Sequence, residues 1–461
     1  MGIEYLGLSN INGPLVILEG VQDAFFDEIV EFTVDGKTKK IGRIIELYED
    51  KAVIQVFEGT ENMSLDNTRT KLTGHLMEVS LAPDMLGRTF NGIGKPIDGL
   101  GPLITDVKRD VNGLPLNPVR RKYPRNYIRT GISAIDGLTT LIRGQKLPIF
   151  SGNGLPHDQL AAQIVKQASL GDGSDEPFAV VFGAMGVKHD VADFFQKTFE
   201  ESGVADHVCM FLNLANDPVV ERLITPKVAL TAAEYLAFDC NMHILVILTD
   251  MTSFAEAMRE VSSSKGEIPS RKGYPGYLYS ELATLYERAG IIEGAEGSVT
   301  QLPILTMPND DITHPIPDLT GYITEGQIVL DRNLNGQSIY PPISVLPSLS
   351  RLMKDGIGEG YTREDHQDLA NQLFSAYAKV GEARNLASVI GEDELSPIDK
   401  KYLEFGKAFE ERYIGQGLEE NRSMIETLDL GWELLKILPR EELDRIDTKI
   451  IDKYLPKEQE S

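Results

Sequence analysis

Four nearly uninterrupted apolar runs in the middle of the chain constrain the fold most strongly. They are Phe178–Phe182, His207–Leu212, His243–Leu248 and Leu302–Met307. Segments with helical spacing lie between them, at 190–199 and 227–236. Strands this apolar are typical of a sheet covered on both faces, and alternation with helices favours parallel strands. The sequence therefore predicts an α/β core between about residues 130 and 345.

A glycine-containing loop follows the first predicted strand of this core. The stretch 146–150 reads as a short strand, Gly152 and Gly154 follow it, and helical spacing resumes at Leu160. A working phosphate loop needs a Lys for the phosphate charge and a Ser or Thr hydroxyl for magnesium. Those positions hold His157 and Asp158, so the sequence predicts a degenerate P-loop that does not bind ATP tightly. The alternative is a turn that merely joins strand to helix.

Two of the polar loop residues also have simple structural interpretations. Asp158 precedes good helix formers, so an N-cap role is predicted for it. For His157 a capping or packing role is favoured over catalysis, because the sequence assigns it neither a nucleophile nor a partner carboxylate.

Different patterns flank the core. Before it, short apolar runs separated by turn signals, with Asp35-Gly36 as a hairpin turn, predict a small β-barrel. The glycine- and proline-rich stretch 88–102 predicts a connector. After about residue 355, amphipathic helices predict a helical domain, with one apolar face on Leu369, Leu373, Phe374 and Tyr377 and another on Ile425, Leu428, Trp432 and Leu435. The predicted fold is multidomain: an N-terminal β-barrel (1–75), a central α/β, P-loop-type nucleotide-binding domain (76–350) and a C-terminal α-helical domain (351–461).

Charge and hydropathy exclude several classes of partner. The chain carries 70 acidic and 45 basic residues, a net charge of −25. Such a surface repels nucleic acid and anionic lipid. No run approaches the roughly 18 apolar residues of a membrane span. These patterns predict a cytoplasmic protein that reaches a membrane only through partner proteins.

Five motifs resemble, in chain order, the α/β-type subunits of rotary ATPases, and among them the non-catalytic chains of the V/A type. The resemblance covers essentially the whole chain. The motifs lie at 86–102, 130–146, 150–157, 315–328 and 341–351.

The resemblance implies an alternating hexameric ring with a catalytic A subunit, a central rotor shaft and peripheral stalk subunits. ATP or ADP with Mg²⁺ would bind at the interface with the catalytic subunit, and ion transport would involve H⁺ or Na⁺. Arg351, at the end of the last motif, resembles the arginine finger that acts in trans, and Ser350 beside it is a second interface candidate. Read alone, Arg351 would be a surface arginine paired with a local acid.

Two further positions bear on catalysis. In catalytic relatives the strand after the phosphate loop ends in Gly-Glu-Arg, whose Glu polarises the attacking water; here Ala184 and Met185 replace Glu and Arg. Neither side chain can act as a base. Asp250 ends an apolar run where a magnesium-binding carboxylate normally lies, and either a structural, vestigial role or residual magnesium binding is compatible with that position.

Two alternatives belong to other functional classes. An autonomous ATPase with an unconventional site would turn over ATP by itself, but Lys, hydroxyl and Glu are all missing. A RecA-like RNA translocase would need an intact phosphate loop and a basic surface. The sequence favours a chain that is not catalytic alone but forms part of an ATP-hydrolysing or ATP-synthesising complex.

Overall fold

The computed structural model describes residues 4–113, 116–171 and 173–455. The chain divides into two compact units, each built from two segments. The first comprises 1–118 and 179–288, and the second comprises 119–178 and 289–461.

The first unit begins with a curled antiparallel sheet of seven strands. In spatial order these are Glu4–Leu6, Arg69–Leu72, Ile29–Val34, Thr38–Tyr48, Lys51–Val56, Leu15–Glu19 and Asn10–Asn12. The alternation of apolar and polar residues places Val30, Phe32 and Ile54 in its core. Asp35 and Gly36 both have positive φ, and the Lys37 N–H bonds to the Val34 carbonyl, as the predicted hairpin turn requires.

The first unit also contains part of the α/β core. Its strands are, in order, Thr89–Asn91, Val208–Leu214, Phe178–Val187 and His243–Thr249, and its helices are His189–Glu201, Val219–Phe238, Met251–Ser264 and Leu278–Tyr286. A separate two-stranded sheet pairs Glu78–Ser80 with Lys108–Asp110.

The stretch 88–102 is not only a connector, and that prediction was wrong in part. Thr89–Asn91 forms a strand that pairs in parallel with Val208–Leu214. Phe90 stacks on Phe211 with ring centroids 5.2 Å apart. The surrounding glycines and prolines concealed a strand of only three residues, which is fixed by this aromatic contact.

The second unit contains the rest of the α/β core. Ile149–Ser151 lies between Ser298–Thr306 and Gly326–Leu330 and is parallel to both. Ile343–Ser350 pairs antiparallel with Gly326–Leu330. Further strands are Tyr127–Arg129, Leu141–Ile142, Ser169–Leu170 and Gly290–Ile291, and the helices of this part are Ser133–Asp136, His157–Gln167, Pro315–Ile323 and Arg332–Gly336.

The second unit ends in helices, as predicted. They are His366–Ile390, Pro397–Ala408, Met424–Leu435 and Thr448–Tyr454, with a π-helical turn at Phe409–Ile414. Two of the predicted core residues are instead exposed: Phe374 and Ile425. The buried face of the long helix His366–Ile390 includes small residues such as Ala376. A prediction that places only large apolar residues in the core does not include them. Within the described residues, no helix combines the length and apolarity needed to cross a bilayer.

Candidate functional site

The glycine loop has the backbone path of a strand–loop–helix connection, and two of its amides are occupied. Gly154 has φ +77°. The Leu155 N–H donates to the Gly152 carbonyl at 3.1 Å, and the His157 N–H donates to the Leu155 carbonyl at 2.9 Å. Pro156 between them has no N–H. Three consecutive positions therefore offer no free amide to a phosphate.

A partly exposed ion pair lies against the same loop. Arg332 binds Asp310 through two hydrogen bonds, Nε to Oδ2 at 2.6 Å and Nη2 to Oδ1 at 2.9 Å. Nη2 also donates to the Asn153 carbonyl at 2.9 Å. The Arg332 hydrogen bond lowers the pKa of Asp310, so this carboxylate is charged at neutral pH.

The position of Asp310 decides what the loop can hold. A Cβ atom placed on Gly152 would lie 2.1 Å from Asp310 Oδ1, so the carboxylate is packed directly against the loop backbone. Since Asp310 is paired with Arg332 and partly exposed, its charge is largely neutralised, and its obstruction of a phosphate is mainly steric. The loop residues do not fit a nucleotide phosphate.

His157 is the first residue of its helix and packs inward. Its Nδ1 lies 2.8 Å from the hydroxyl of Ser151, which is fully buried. Its Nε2 lies 3.7 Å from Asp158 Oδ1. Since the Ser151 hydroxyl has no access to solvent, the Ser–His contact stabilises the loop and presents no nucleophile.

The predicted N-cap role of Asp158 is wrong. The helix begins at His157, two residues before the start that an Asp158 cap would set, and Pro156 occupies the cap position. Asp158 thus lies in the first turn, where a carboxylate still interacts favourably with the helix dipole. Proline at position 156 favours this earlier start, because its φ of −81° leads directly into the helix.

Asp250 has a defined structural role in the first unit. Its Oδ1 accepts a hydrogen bond from the Thr252 N–H at 2.9 Å, which makes Asp250 the N-cap of Met251–Ser264. Ala184 and Met185 are fully buried in the strand Phe178–Val187. No catalytic carboxylate replaces the missing Glu at either of these two positions.

Arg351 lies immediately after the edge strand Ile343–Ser350, and its side chain is exposed. Its N–H donates to the Glu325 carbonyl at 2.8 Å, while its guanidinium makes no hydrogen bond or ion pair with any residue that the structure describes. The interpretation of Arg351 as a surface arginine paired with a local acid is therefore not supported. A permanently charged guanidinium without a counter-ion among the described residues therefore lies at the end of this strand.

The backbone beneath Arg351 is held firmly. Glu325 pairs with Lys146 Nζ at 2.8 Å. Gly326 is paired with Ser350, has φ +137°, and a Cβ there would lie 2.1 Å from the Leu349 carbonyl oxygen. Only glycine fits such an approach.

Ser350 differs from Arg351 in being fully engaged. Its hydroxyl donates to the Thr140 carbonyl at 3.0 Å and accepts from Gln145 Nε2 at 2.8 Å. The hydroxyl therefore anchors the strand end, and its place beside Arg351 is a positioning role.

The edge strand that precedes Arg351 presents exposed apolar side chains. Leu346, Pro347 and Leu349 are exposed, and Tyr322 on the helix Pro315–Ile323 is 75% exposed. An unpaired strand edge with exposed apolar residues is a feature that proteins usually cover with a partner.

Family models match three consecutive segments: the beta-barrel domain of the ATP synthase alpha/beta family at 8–74, the nucleotide-binding domain of that family at 131–350, and the C-terminal domain of V and A type ATP synthase at 355–455. The chain belongs to the ATP synthase alpha/beta family.

Individual relatives agree with this membership. The V-type ATP synthase beta chain 2 of Clostridium tetani is 64% identical over 98% of both chains. The V-type ATP synthase beta chain of Halothermothrix orenii is 63% identical over 98% of this chain and 97% of its own. Among solved structures, the ATP synthase subunit NeqB of Nanoarcheaum equitans has 40% identity and a TM-score of 0.73, covering 92% of this chain and 98% of its own. The predicted family and its barrel, nucleotide-binding and helical parts are confirmed.

The loop and Arg351 were predicted from the sequence, but the ion pair beside the loop was not. Asp310 lies in a short turn and Arg332 begins a five-residue helix, and neither belongs to a recognisable pattern. The two positions are 22 residues apart, so only the fold brings them to Gly152.

Proposed function

We propose that this chain is the non-catalytic, regulatory B subunit of a V/A-type rotary ATPase or ATP synthase. It alternates with catalytic A subunits in a hexameric ring and helps to couple ATP hydrolysis or synthesis to H⁺ or Na⁺ transport. The domains would be 1–75, 76–350 and 351–461. The central shaft and peripheral stalk are its further partners, and it lies on the cytoplasmic side, peripheral to the membrane and without nucleic acid.

The free guanidinium of Arg351 carries this proposal. In nucleotide hydrolysis, charge develops on the γ-phosphate oxygens as the bond breaks, and an arginine from a neighbouring chain stabilises it. Arg351 is permanently charged and exposed, and it follows a strand whose exposed apolar residues suit a protein interface. Its planar donor fork fits phosphate oxygens.

Within this mechanism the two loops have opposite roles. ATP or ADP with Mg²⁺ binds at the interface, in the catalytic subunit's phosphate loop, and Arg351 reaches it in trans. Ser350 positions the arginine. The chain's own loop at Gly152, Gly154, His157 and Asp158 is closed by Asp310 and Arg332 and takes no tightly bound nucleotide, while Asp250 caps a helix and holds no metal.

Hydrolysis measurements on the separate and mixed chains test the proposal. The purified chain alone is expected to have no ATPase activity. Mixing it with a V/A-type catalytic A subunit is expected to give ATPase activity together with ring assembly, and light scattering monitors the assembly. Steady turnover by the chain alone would instead establish an autonomous ATPase. Turnover that RNA stimulates would establish a translocase.

A further inference from the structure

A cavity of about 500 Å³ lies within the first unit, and its lining includes neither Arg351 nor a residue of the glycine loop. Residues of the N-terminal sheet line one side, and residues of the helices Val219–Phe238, Met251–Ser264 and Leu278–Tyr286 line the other. Cavities that bind small molecules typically measure about 300–1,000 Å³ and combine apolar walls with a few convergent polar groups. The size of this cavity meets that requirement.

A chain of polar contacts crosses the cavity wall. Arg43 Nη1 lies 3.2 Å from Asp27 Oδ1. Asn112 Nδ2 donates to Asp27 Oδ2 at 2.7 Å, and Lys227 Nζ donates to Asn112 Oδ1 at 3.2 Å. Both oxygens of Asp27 are therefore occupied, and the chain of contacts ends at the ammonium group of Lys227.

Lys227 retains unused hydrogen-bonding capacity. Only 9% of the residue is exposed, and its ammonium can donate three hydrogen bonds. Among the described residues it donates one, to Asn112, and its nearest carboxylate, Glu281, is 3.8 Å away. Burial lowers the pKa of Lys227, which means that its surroundings do not compensate the charge fully.

The other two cations of the cavity lining are already paired. Arg43 pairs with Asp27, and Lys265 lies 3.5 Å from Glu267, so Lys227 is the cation that an anionic ligand would neutralise. The apolar part of the wall is formed by Leu223, Phe254, Met258 and Val261, with Phe26 66% exposed beside them.

We propose that this cavity binds a small organic anion, a carboxylate or phosphate monoester with an aromatic or aliphatic body. The anionic group accepts hydrogen bonds from Lys227 Nζ, and the apolar body packs against Phe254 and Met258. Because the ligand would contact both the N-terminal sheet and the core helices, its binding would stabilise the first unit against unfolding.

Isothermal titration calorimetry on the full chain tests this site with three matched probes: 2-naphthoate, 2-naphthyl phosphate and the neutral 2-naphthamide. At least one of the two anions is expected to bind once per chain, at least tenfold more tightly than the amide, and to raise Tm. Equal binding of the amide, or binding of neither anion, would overturn the proposal.

Two variants locate the binding site. K227M is expected to weaken anion binding at least tenfold, whereas K197M, at an exposed lysine outside the cavity, is expected to bind as the wild type does. Unchanged binding by K227M would contradict the proposal. Should K227M fail to fold, T284W provides the test, because Thr284 is an exposed cavity-lining residue where an indole would fill the opening. Retained binding by folded T284W would also refute the site.

Discussion

Replacing Arg351 with alanine is expected to lower catalytic activity without lowering the stability of the chain. The reason is that this side chain makes no contact that stabilises the fold. Its guanidinium is exposed and contacts no described partner, while its backbone hydrogen bond to Glu325 survives the substitution. Exposed substitutions of this kind change the free energy of unfolding by about 0.5 kcal/mol or less. R351A is therefore expected to fold and assemble like the wild type.

The expected catalytic effect is far larger. Arginine fingers contribute factors of roughly 10³ or more to turnover, and a factor of 10³ corresponds to about 4 kcal/mol of activation free energy. R351K is expected to recover less than a tenth of the lost rate, since an ammonium cannot match the two-donor geometry of a guanidinium.

The measurement is the kcat of ATP hydrolysis by the reconstituted A–B ring, with Tm and ring assembly recorded on the same samples. R69A supplies a control, because Arg69 is another exposed arginine, in the N-terminal sheet, with only a loose 3.8 Å contact to Glu4. Its kcat is expected to remain unchanged. If R351A retained wild-type kcat in assembled rings, the trans role of Arg351 would be refuted; if it lost activity only by failing to assemble, the arginine would act in assembly.

Three further predictions concern other parts of the chain. G326A is expected to lower the free energy of urea unfolding by about 2 kcal/mol and to reduce ring activity, because its new Cβ would lie 2.1 Å from a carbonyl oxygen at positive φ; G321A, with open space around it, should do neither. H157K/D158T is expected to give at most weak ATP binding by calorimetry, because the Asp310 carboxylate remains against Gly152; tight binding would show that His157 and Asp158 alone exclude the nucleotide. Burial raises the pKa of Glu221 from 4.5 to about 7, so the folded state holds its proton more tightly and stability falls as pH rises from 4.5 to 7. E221Q should therefore exceed the wild type by about 1–2 kcal/mol at pH 8, a difference that disappears below pH 4.5 in pH-dependent urea titrations and whose persistence there would contradict the assignment.

The sequence predicted the features that depend on local pattern. The apolar run at His243–Leu248 became the strand His243–Thr249, and the turn at Asp35-Gly36 formed because its backbone conformation is encoded locally. Arg351 was predicted from its motif alone. Its freedom from local acids was not, since no one-dimensional pattern reports which side chains lie near it.

The missed features all depend on contacts between distant segments. The strand at Thr89–Asn91 is fixed by Phe211, more than a hundred residues away, and carries no run long enough to identify it. The closure of the loop depends in the same way on Arg332, a position without any motif. The predicted start of the helix was wrong for a more local reason. Pro156 and Asp158 both favour a helix N-terminus, and only the backbone geometry shows that Pro156 occupies the cap position.

The anchoring of Arg351 has a consequence for the timing of catalysis. The residue follows a strand paired through Ser350 to Gly326, and its own N–H is bonded to Glu325, which is in turn paired with Lys146. The backbone of Arg351 therefore moves with the paired strands Gly326–Leu330 and Ile343–Ser350. Its guanidinium would reach a nucleotide when these strands are brought up to the neighbouring chain, so the approach of the two subunits would set the timing of catalysis.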